Sequence, residues 1–469
     1  MSSLRTSYKP RAYQQLATNW LLDKPKAALF LDVGLGKSAI ALNHIAYTLA
    51  VGEVKRWLIV APLRVCQTTW PSEVDKWAFA EGLSVYHLYG PLGKKRAAMS
   101  EEALQSDITI INVENLPKLV MHFRPQWPWP GVILDESSKF KDSSTQRWKA
   151  MRFVSNQLSH ILLLTGTPCP QSLMNLWAQV YLLDGGKRLG RRLEAFKYRY
   201  FKQVDYLGYE WEPIEGALDT ILDEIKDRCL VIRAMGMPQP IYNTIEVALD
   251  LKSLQKYKEL ERDYFLEVQQ DEGITALSAA ALTNKLSQLA NGFAYWDDDD
   301  GVRHVYDLHK LKVEAVADFA DEHGGPFVLG YHYQQDKQRL AKHFKGRLEF
   351  FDASKDQLQR WGKGQFQILA LHPQSGGHGV DGLQHHTCTV LWYSPPWSRE
   401  QFDQLNGRVT GARQKGTAFE ADQSVVNILA ARGTIDETAL KVLFDRGEEQ
   451  RLFLDLLRER GQRLLNRVE

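Results

Sequence analysis

The stretch LFLDVGLGKSAIAL, residues 29–42, decides how the rest of the chain is read. An apolar run over 27–31 predicts a buried strand, Gly34 and Gly36 permit a tight turn with exposed backbone N–H groups, and the apolar spacing over 39–50 predicts a helix. A turn of this kind between strand and helix grips phosphate, because the amides and the positive end of the helix favour anionic oxygens. Lys37 is placed to reach the outer phosphates of a nucleotide and the Ser38 hydroxyl to sit on Mg²⁺. The pattern is GxxxxGK[ST], a Walker A loop, with Leu31 where the first small residue usually stands. A glycine turn between ordinary elements is the alternative, and the remaining segments have to decide.

Length and composition set the bounds. With 469 residues and 44% hydrophobic content, the chain exceeds one ordinary domain, and two to three are expected. The opening MSSLRTSYKPRAYQQ has no apolar leader and no apolar run is long enough to span a bilayer, so a cytoplasmic location with no membrane partner is expected. The four cysteines, Cys66, Cys169, Cys229 and Cys388, show no CxxC or Cys/His ligand spacing, which argues against a zinc site or a disulfide framework. A net charge of +1 gives no global basic signature, so any nucleic acid has to be held by local patches.

Upstream of the loop, YKPRAYQQLATNWLL (8–22) places Gln14 at the head of a helical pattern. Its planar amide can pair with the donor and acceptor edges of adenine; a surface helix residue is the plainer reading. Downstream, RWLIVAPLRVCQTTWPSEVDKW (56–77) reads as a strand, a Pro62 break and a helix starting near Thr68 or Thr69; ITIINVENLPKL (108–119) repeats that layout. Such alternation indicates an α/β architecture with a mostly parallel sheet. Loops at the carboxyl ends of parallel strands face the ligand crevice, which places Pro62, Arg64 and Asn112 to touch a substrate. GVILDESSKFKDSST (131–145) delivers Asp135 and Glu136 to that same edge, Asp135 to hold Mg²⁺ through water and Glu136 to polarise the attacking water. In HILLLTGTPCPQSLMNLWAQVYLLD (160–184), Thr165 and Thr167 end a neighbouring strand, where hydroxyls can sense Glu136 and pass nucleotide state to whatever the loop touches.

Taken together and in this order, YKPRAYQQLATNWL, DVGLGKS, LIVAPLRVCQTTWPSEVDKW, LDESSKFKD and LLLTGTPCPQSLMNLWAQVYLLD resemble the Swi/Snf-type branch of the superfamily II helicases, the DNA-translocating ATPases. Ser137 and Ser138 stand where the family commonly has Gly-His or Ala-His. The resemblance implies two tandem RecA-like lobes, parallel sheets flanked by helices, with a helical insertion between them. It implies ATP and Mg²⁺ as cofactors and DNA as partner, duplex or branched preferred, with RNA left open and no protein partner identified. A compact chain of this kind looks like a bacterial or phage member.

The second half fits the same frame. The basic, aromatic GKRLGRRLEAFKYRYFKQ (186–203) offers phosphate contacts or a solvated helix face, and by resemblance 185–305 is the helical insertion and linker between a first lobe at 1–184 and a second at 306–445. WDDDDG (296–301) reads as an acidic hairpin tip. SGGHGVDGLQ (375–384) offers Gly377 for close approach to a nucleic-acid backbone and Asp381 for a ribose or metal-water contact, in a stretch one residue longer than the family's glycine motif. The helix over 398–408 presents Arg408, by resemblance the arginine finger, with Arg413 beyond it; the family's second arginine falls where this chain has Gly411. A charged amphipathic helix follows from Ile435, its part over 446–469 set apart as a C-terminal helix, and is expected to pack on the second lobe and able to brace the first.

The function expected is a double-stranded DNA translocase driven by ATP. A strand-separating DNA or RNA helicase, and a nucleotide-gated scaffold or polymerase-binding protein with little turnover, are the alternatives.

Overall fold

A computed structural model describes residues 5–465 apart from 91–101, 125, 205–210, 234–239, 271–275, 299, 301, 353, 374–381, 415 and 421. The chain divides into two compact units, 1–235 with 446–469, and 236–445. Among the described residues no helix is long and apolar enough to cross a membrane.

The first unit contains β1 (Lys26–Leu31), β2 (Trp57–Ala61), β3 (Val85–His87), β4 (Ile108–Asn112), β5 (Gly131–Asp135), β6 (His160–Thr165), a hairpin of β7 (Phe201–Gln203) and β8 (Trp211–Pro213), and β9 (Cys229–Ile232). Seven of these strands form one parallel sheet, in the order β3-β4-β2-β5-β6-β1-β9. Parallel neighbours require crossovers, and helices such as Lys37–Ala50 and Gln146–Ser155 supply them. The central strands read as unbroken apolar runs because both faces are covered. Phe30, Leu58, Val60, Leu134 and Leu163 join a core with Met151 and Leu176 of the helices on one side. On the other side, the Trp57 indole donates to Thr48 of helix Lys37–Ala50 at 3.0 Å.

This order places β1 beside β6, and β6 beside β5, all parallel. The loops leaving their carboxyl ends, after Leu31, Asp135 and Thr165, therefore lie along one edge. That edge is where open α/β sheets bind ligands.

The second unit has β10 (Ile241–Val247), a hairpin of β11 (Phe293–Asp297) and β12 (Arg303–Asp307), β13 (Phe327–Gly330), β14 (Leu348–Phe350), β15 (Ile368–Leu371), β16 (Thr389–Trp392) and β17 (Val425–Ala431). Six strands form a parallel sheet, β10-β17-β16-β13-β15-β14. Side chains alternate between its faces. Leu329, Ile368, Leu391 and Leu429 pack with Val316 and Leu340. Val328, Leu369, Val390 and Ile428 pack instead with Trp361, Phe402 and Leu405. The expected architecture, two parallel sheets flanked by helices, is thus the one observed.

The internal boundaries differ from those read in the sequence. The first lobe was expected to end at 184, before a helical insertion; β9 instead pairs with β1 from Ala28↔Cys229 to Leu31↔Ile232, and β10 pairs with β17. A four-residue apolar run such as CLVI cannot be told from a helix segment by periodicity. The final helix, Ile435–Leu465, starts where the sequence places it and runs without a break across the boundary drawn at 446. Its Leu443 lies in a core of the second unit, whereas Phe453, Leu454 and Leu457 lie in the core of the first.

Candidate nucleotide site at the strand ends of the first sheet

β1 ends at Leu31, so the residue that departs from the Walker pattern is the last of a buried strand. The turn that follows uses Gly34 and Gly36 at φ 87° and 78°, and Gly36 caps helix Lys37–Ala50. A side chain on Gly36 would also collide with Gln14: its Cβ would stand 2.6 Å from Gln14 Nε2. Gln14 Nε2 donates to the Leu35 carbonyl at 3.3 Å, and Gln14 Oε1 accepts from Arg11 N at 2.9 Å. The amide expected to face adenine therefore buttresses the phosphate loop itself. Lys37 Nζ donates to the Leu31 carbonyl at 2.8 Å. Ser38 follows it in the first helical turn, half-buried.

From β5, Asp135 enters the same edge almost fully buried, 6% exposed. Its Oδ2 accepts from the Trp70 indole at 2.9 Å and its Oδ1 from Glu136 N at 3.1 Å. Burial, followed by the neighbouring Glu136 charge, pushes its pKa up to about 7; the Lys37 ammonium and the Trp70 hydrogen bond oppose that rise. Glu136 has φ +55°, the one positive value at a non-glycine among the described residues. Backbone conformations of this kind cost energy and cluster at functional sites. Carboxylate oxygens such as those of Asp135 and Glu136 suit a hard divalent cation.

The third loop closes the set. A Cβ on Gly166 would lie 3.1 Å from the Leu31 carbonyl and 3.6 Å from Lys37 Nζ, so β6 ends in tight contact with the phosphate loop. Thr165 and Thr167 are both buried; Thr167 N donates to Thr165 Oγ1 at 3.0 Å, while Thr167 Oγ1 is buried without a hydrogen-bond partner among the described residues. Gln179, fully buried, ties this loop to the acidic one. Its Oε1 accepts from Ser137 Oγ at 2.9 Å and its Nε2 donates to the Pro168 carbonyl at 2.7 Å.

The remaining candidates fall in different settings. Pro62 caps a short helix, Leu63–Gln67, that contains half-buried Arg64 where a plain loop was expected. Asn112 ends β4 but is engaged internally: it accepts from Gly90 N at 3.3 Å and Asn115 Nδ2 at 2.7 Å, and donates to Glu114 at 2.8 Å. That network makes it a loop clamp. In the second unit, half-buried Arg408 follows helix Arg399–Asn406, and Arg413 lies in the turn Gly411–Gln414. Gly377 and Asp381 lie outside the described residues. Of the basic residues in 186–203, Arg188 is engaged by Asp184 at 3.1 Å and Asp227 at 2.5 Å.

Three participants escaped the sequence reading. Trp70 stands in the helical stretch after Pro62 and was assigned no role; Gln179 was detectable as a polar residue inside the apolar run NLWAQVYLLD. Arg233, just beyond β9, approaches Asp32 of the phosphate loop at 3.7 Å.

Comparison with known proteins agrees with this geometry. The SNF2-related domain model matches residues 13–291, which contain every segment of the edge just described. Protein p41 of Acyrthosiphon pisum secondary endosymbiont phage 1 is 34% identical over 97% of this chain and 99% of its own length. Helicase SWR1 of Eremothecium gossypii is 30% identical over 42% of this chain, a match that spans 14% of the larger protein. Among solved structures, the Sulfolobus solfataricus SWI2/SNF2 ATPase core in complex with dsDNA aligns with 96% of this chain and 93% of its own, at 17% identity and a TM-score of 0.43. With more than half of its residues under one family model and a phage relative matched end to end, the chain belongs to the SNF2-related family of ATPase motors.

Proposed function

We propose that this ATPase hydrolyses ATP in response to double-stranded DNA and uses the cycle to translocate along the duplex, remodelling DNA or protein–DNA complexes. The observation that carries the reading is the meeting of three strand-end loops at one edge, where a Cβ on Gly166 would lie 3.6 Å from Lys37 Nζ and Gln179 bridges the acidic and TGTP loops.

In this reading Lys37 exchanges the Leu31 carbonyl for nucleotide phosphate oxygens, the backbone amides of 34–38 surround those phosphates, and Glu136 orients the attacking water. Ser38 and Asp135 would hold Mg²⁺, whose charge offsets that of the phosphates when bound. The Ser137–Gln179–Pro168 bridge passes changes at Glu136 to Thr165 and Thr167. Pro62, Arg64 and the threonine loop are the proposed track contacts, directed at phosphate backbone and so largely indifferent to sequence. Arg408, with Arg413 as its companion, is the second unit's proposed contribution to hydrolysis, and Arg408→Ala should lower kcat by about 10³-fold or more.

The test is the ATPase rate with duplex, single-stranded and branched DNA and RNA side by side. Strongest stimulation by duplex supports the reading. Stimulation by single strands or RNA alone moves the chain to the strand-separating class. Absence of hydrolysis with every nucleic acid overturns the reading in favour of a nucleotide-gated binding protein.

A further inference from the structure

Helices Leu63–Gln67 and Thr69–Lys76 form one stepped segment. Thr68 joins them: its N and Oγ1 both donate to the Arg64 carbonyl, at 3.0 and 2.8 Å, and its own carbonyl accepts from Ser72 N at 3.1 Å. Pro62 and Arg64 stand at the head of this segment. Trp70, fully buried, lies in the first turn of its second helix and donates to Asp135 Oδ2. The carboxylate is therefore held by one bond from its own loop and one from the stepped segment.

A buried indole needs only some acceptor, and others in this unit have ordinary ones. Trp57 and Trp129 donate to the hydroxyls of Thr48 and Thr109, and Trp148 donates to the Ala178 carbonyl. Trp70 instead reaches a buried carboxylate at the edge that carries the phosphate loop. A neutral donor fixes the plane of such a carboxylate without cancelling the charge that a cation would need.

We infer that Trp70 is a positioning residue for Asp135 that transmits the state of the Pro62–Arg64 segment to it, so that a duplex on that segment tunes cation affinity at the nucleotide site. The inference rests on the proposed function for the placement of Mg²⁺ on Asp135 and of the track on Pro62 and Arg64. Partners that orient a metal-holding side chain from behind typically carry about 10- to 100-fold in metal affinity.

The test uses the full chain as wild type, as Trp70→Phe, and with benzothienylalanine at position 70, a sulfur isostere that keeps the ring volume and lacks the N–H. Trp148→Phe is the control, because it deletes a buried indole donor bound to a backbone carbonyl. Mg²⁺ is titrated against binding of a fluorescent, non-hydrolysable ATP analogue, with and without a duplex oligonucleotide. Both position-70 variants should raise the half-saturating Mg²⁺ concentration about tenfold or more and lose its response to duplex, while Trp148→Phe stays within about twofold of wild type.

A wild-type half-point in the folded isostere overturns the inference. If the wild type binds the analogue with Mg²⁺ but its half-point ignores duplex, the coupling is refuted while the nucleotide site stands. If it does not bind the analogue at all, the functional reading fails and the inference with it.

Discussion

Replacing Gln179 by leucine should uncouple the acidic loop from the TGTP loop, at a cost that follows from its hydrogen bonds. Gln179 is 0% exposed and its amide joins Ser137 Oγ at 2.9 Å to the Pro168 carbonyl at 2.7 Å. Leucine nearly conserves the volume but leaves the Ser137 hydroxyl and the Pro168 carbonyl without those partners. Each buried group orphaned in this way costs about 1–3 kcal/mol, so a loss of about 3 kcal/mol is expected after partial relaxation. Ser137→Ala alone orphans only Gln179 Oε1 and should cost about 1 kcal/mol. In the double variant only the Pro168 carbonyl stays stranded, so the cycle should return a coupling of about 2–3 kcal/mol. Urea unfolding followed by tryptophan fluorescence reads this directly: with a slope of about 3 kcal/mol per M, Gln179→Leu should lower the midpoint by about 1 M. A variant within about 0.5 kcal/mol of wild type, or a coupling of zero, would refute the bridge as the link between the loops.

Other residues make independent predictions. Gly36→Ala, which needs φ 78° and brings its Cβ within 2.6 Å of Gln14 Nε2, should destabilise the first unit by about 1–3 kcal/mol and weaken nucleotide binding, read by melting and by analogue titration. In the second unit, fully buried Lys312 donates to Asp436 at 2.6 Å and to Asn291 at 2.8 Å; Lys312→Met should cost about 3–5 kcal/mol in urea, and Lys312→Met with Asp436→Leu should recover much of that loss. Burial depresses the His44 and His309 pKa values from 6.5 to about 4. Their folded forms resist protonation that the unfolded chain accepts, so stability present above pH 6.5 should be lost as pH falls toward 4, by up to about 3 kcal/mol per histidine. His44→Gln should flatten that slope in pH-dependent urea melts.

The fold was legible where burial on both faces leaves an unbroken apolar run between turn signals. LIVA, ITII, VILD and ILLL stand out for that reason, and all became strands of one sheet. CLVI escaped because four apolar residues among charged helices carry no period. IYNTIEV, the seven-residue β10, likewise sat unrecognised in a stretch expected to be helical, since only its last residue is buried. At the candidate site, chemistry was legible wherever backbone geometry favours a residue type, as at Gly34 and Gly36 with their positive φ, and where carboxylates follow an apolar strand. Hydrogen-bond partners were not legible, because they depend on which loops the sheet order makes adjacent. Gln14 reaches the Leu35 carbonyl, Asn112 accepts from Gly90 N and Trp70 reaches Asp135, contacts between segments that only the fold brings together.

Triplex displacement tests the central claim most directly. A third strand bound to a long duplex is displaced by a motor that tracks along the duplex without separating it, and the assay is run with ATP on wild type and on Glu136→Gln. The account predicts ATP-dependent displacement by the wild type, none by Glu136→Gln, and no unwinding of a forked duplex by either. Unwinding of the fork by a wild-type protein that leaves the triplex intact would contradict it.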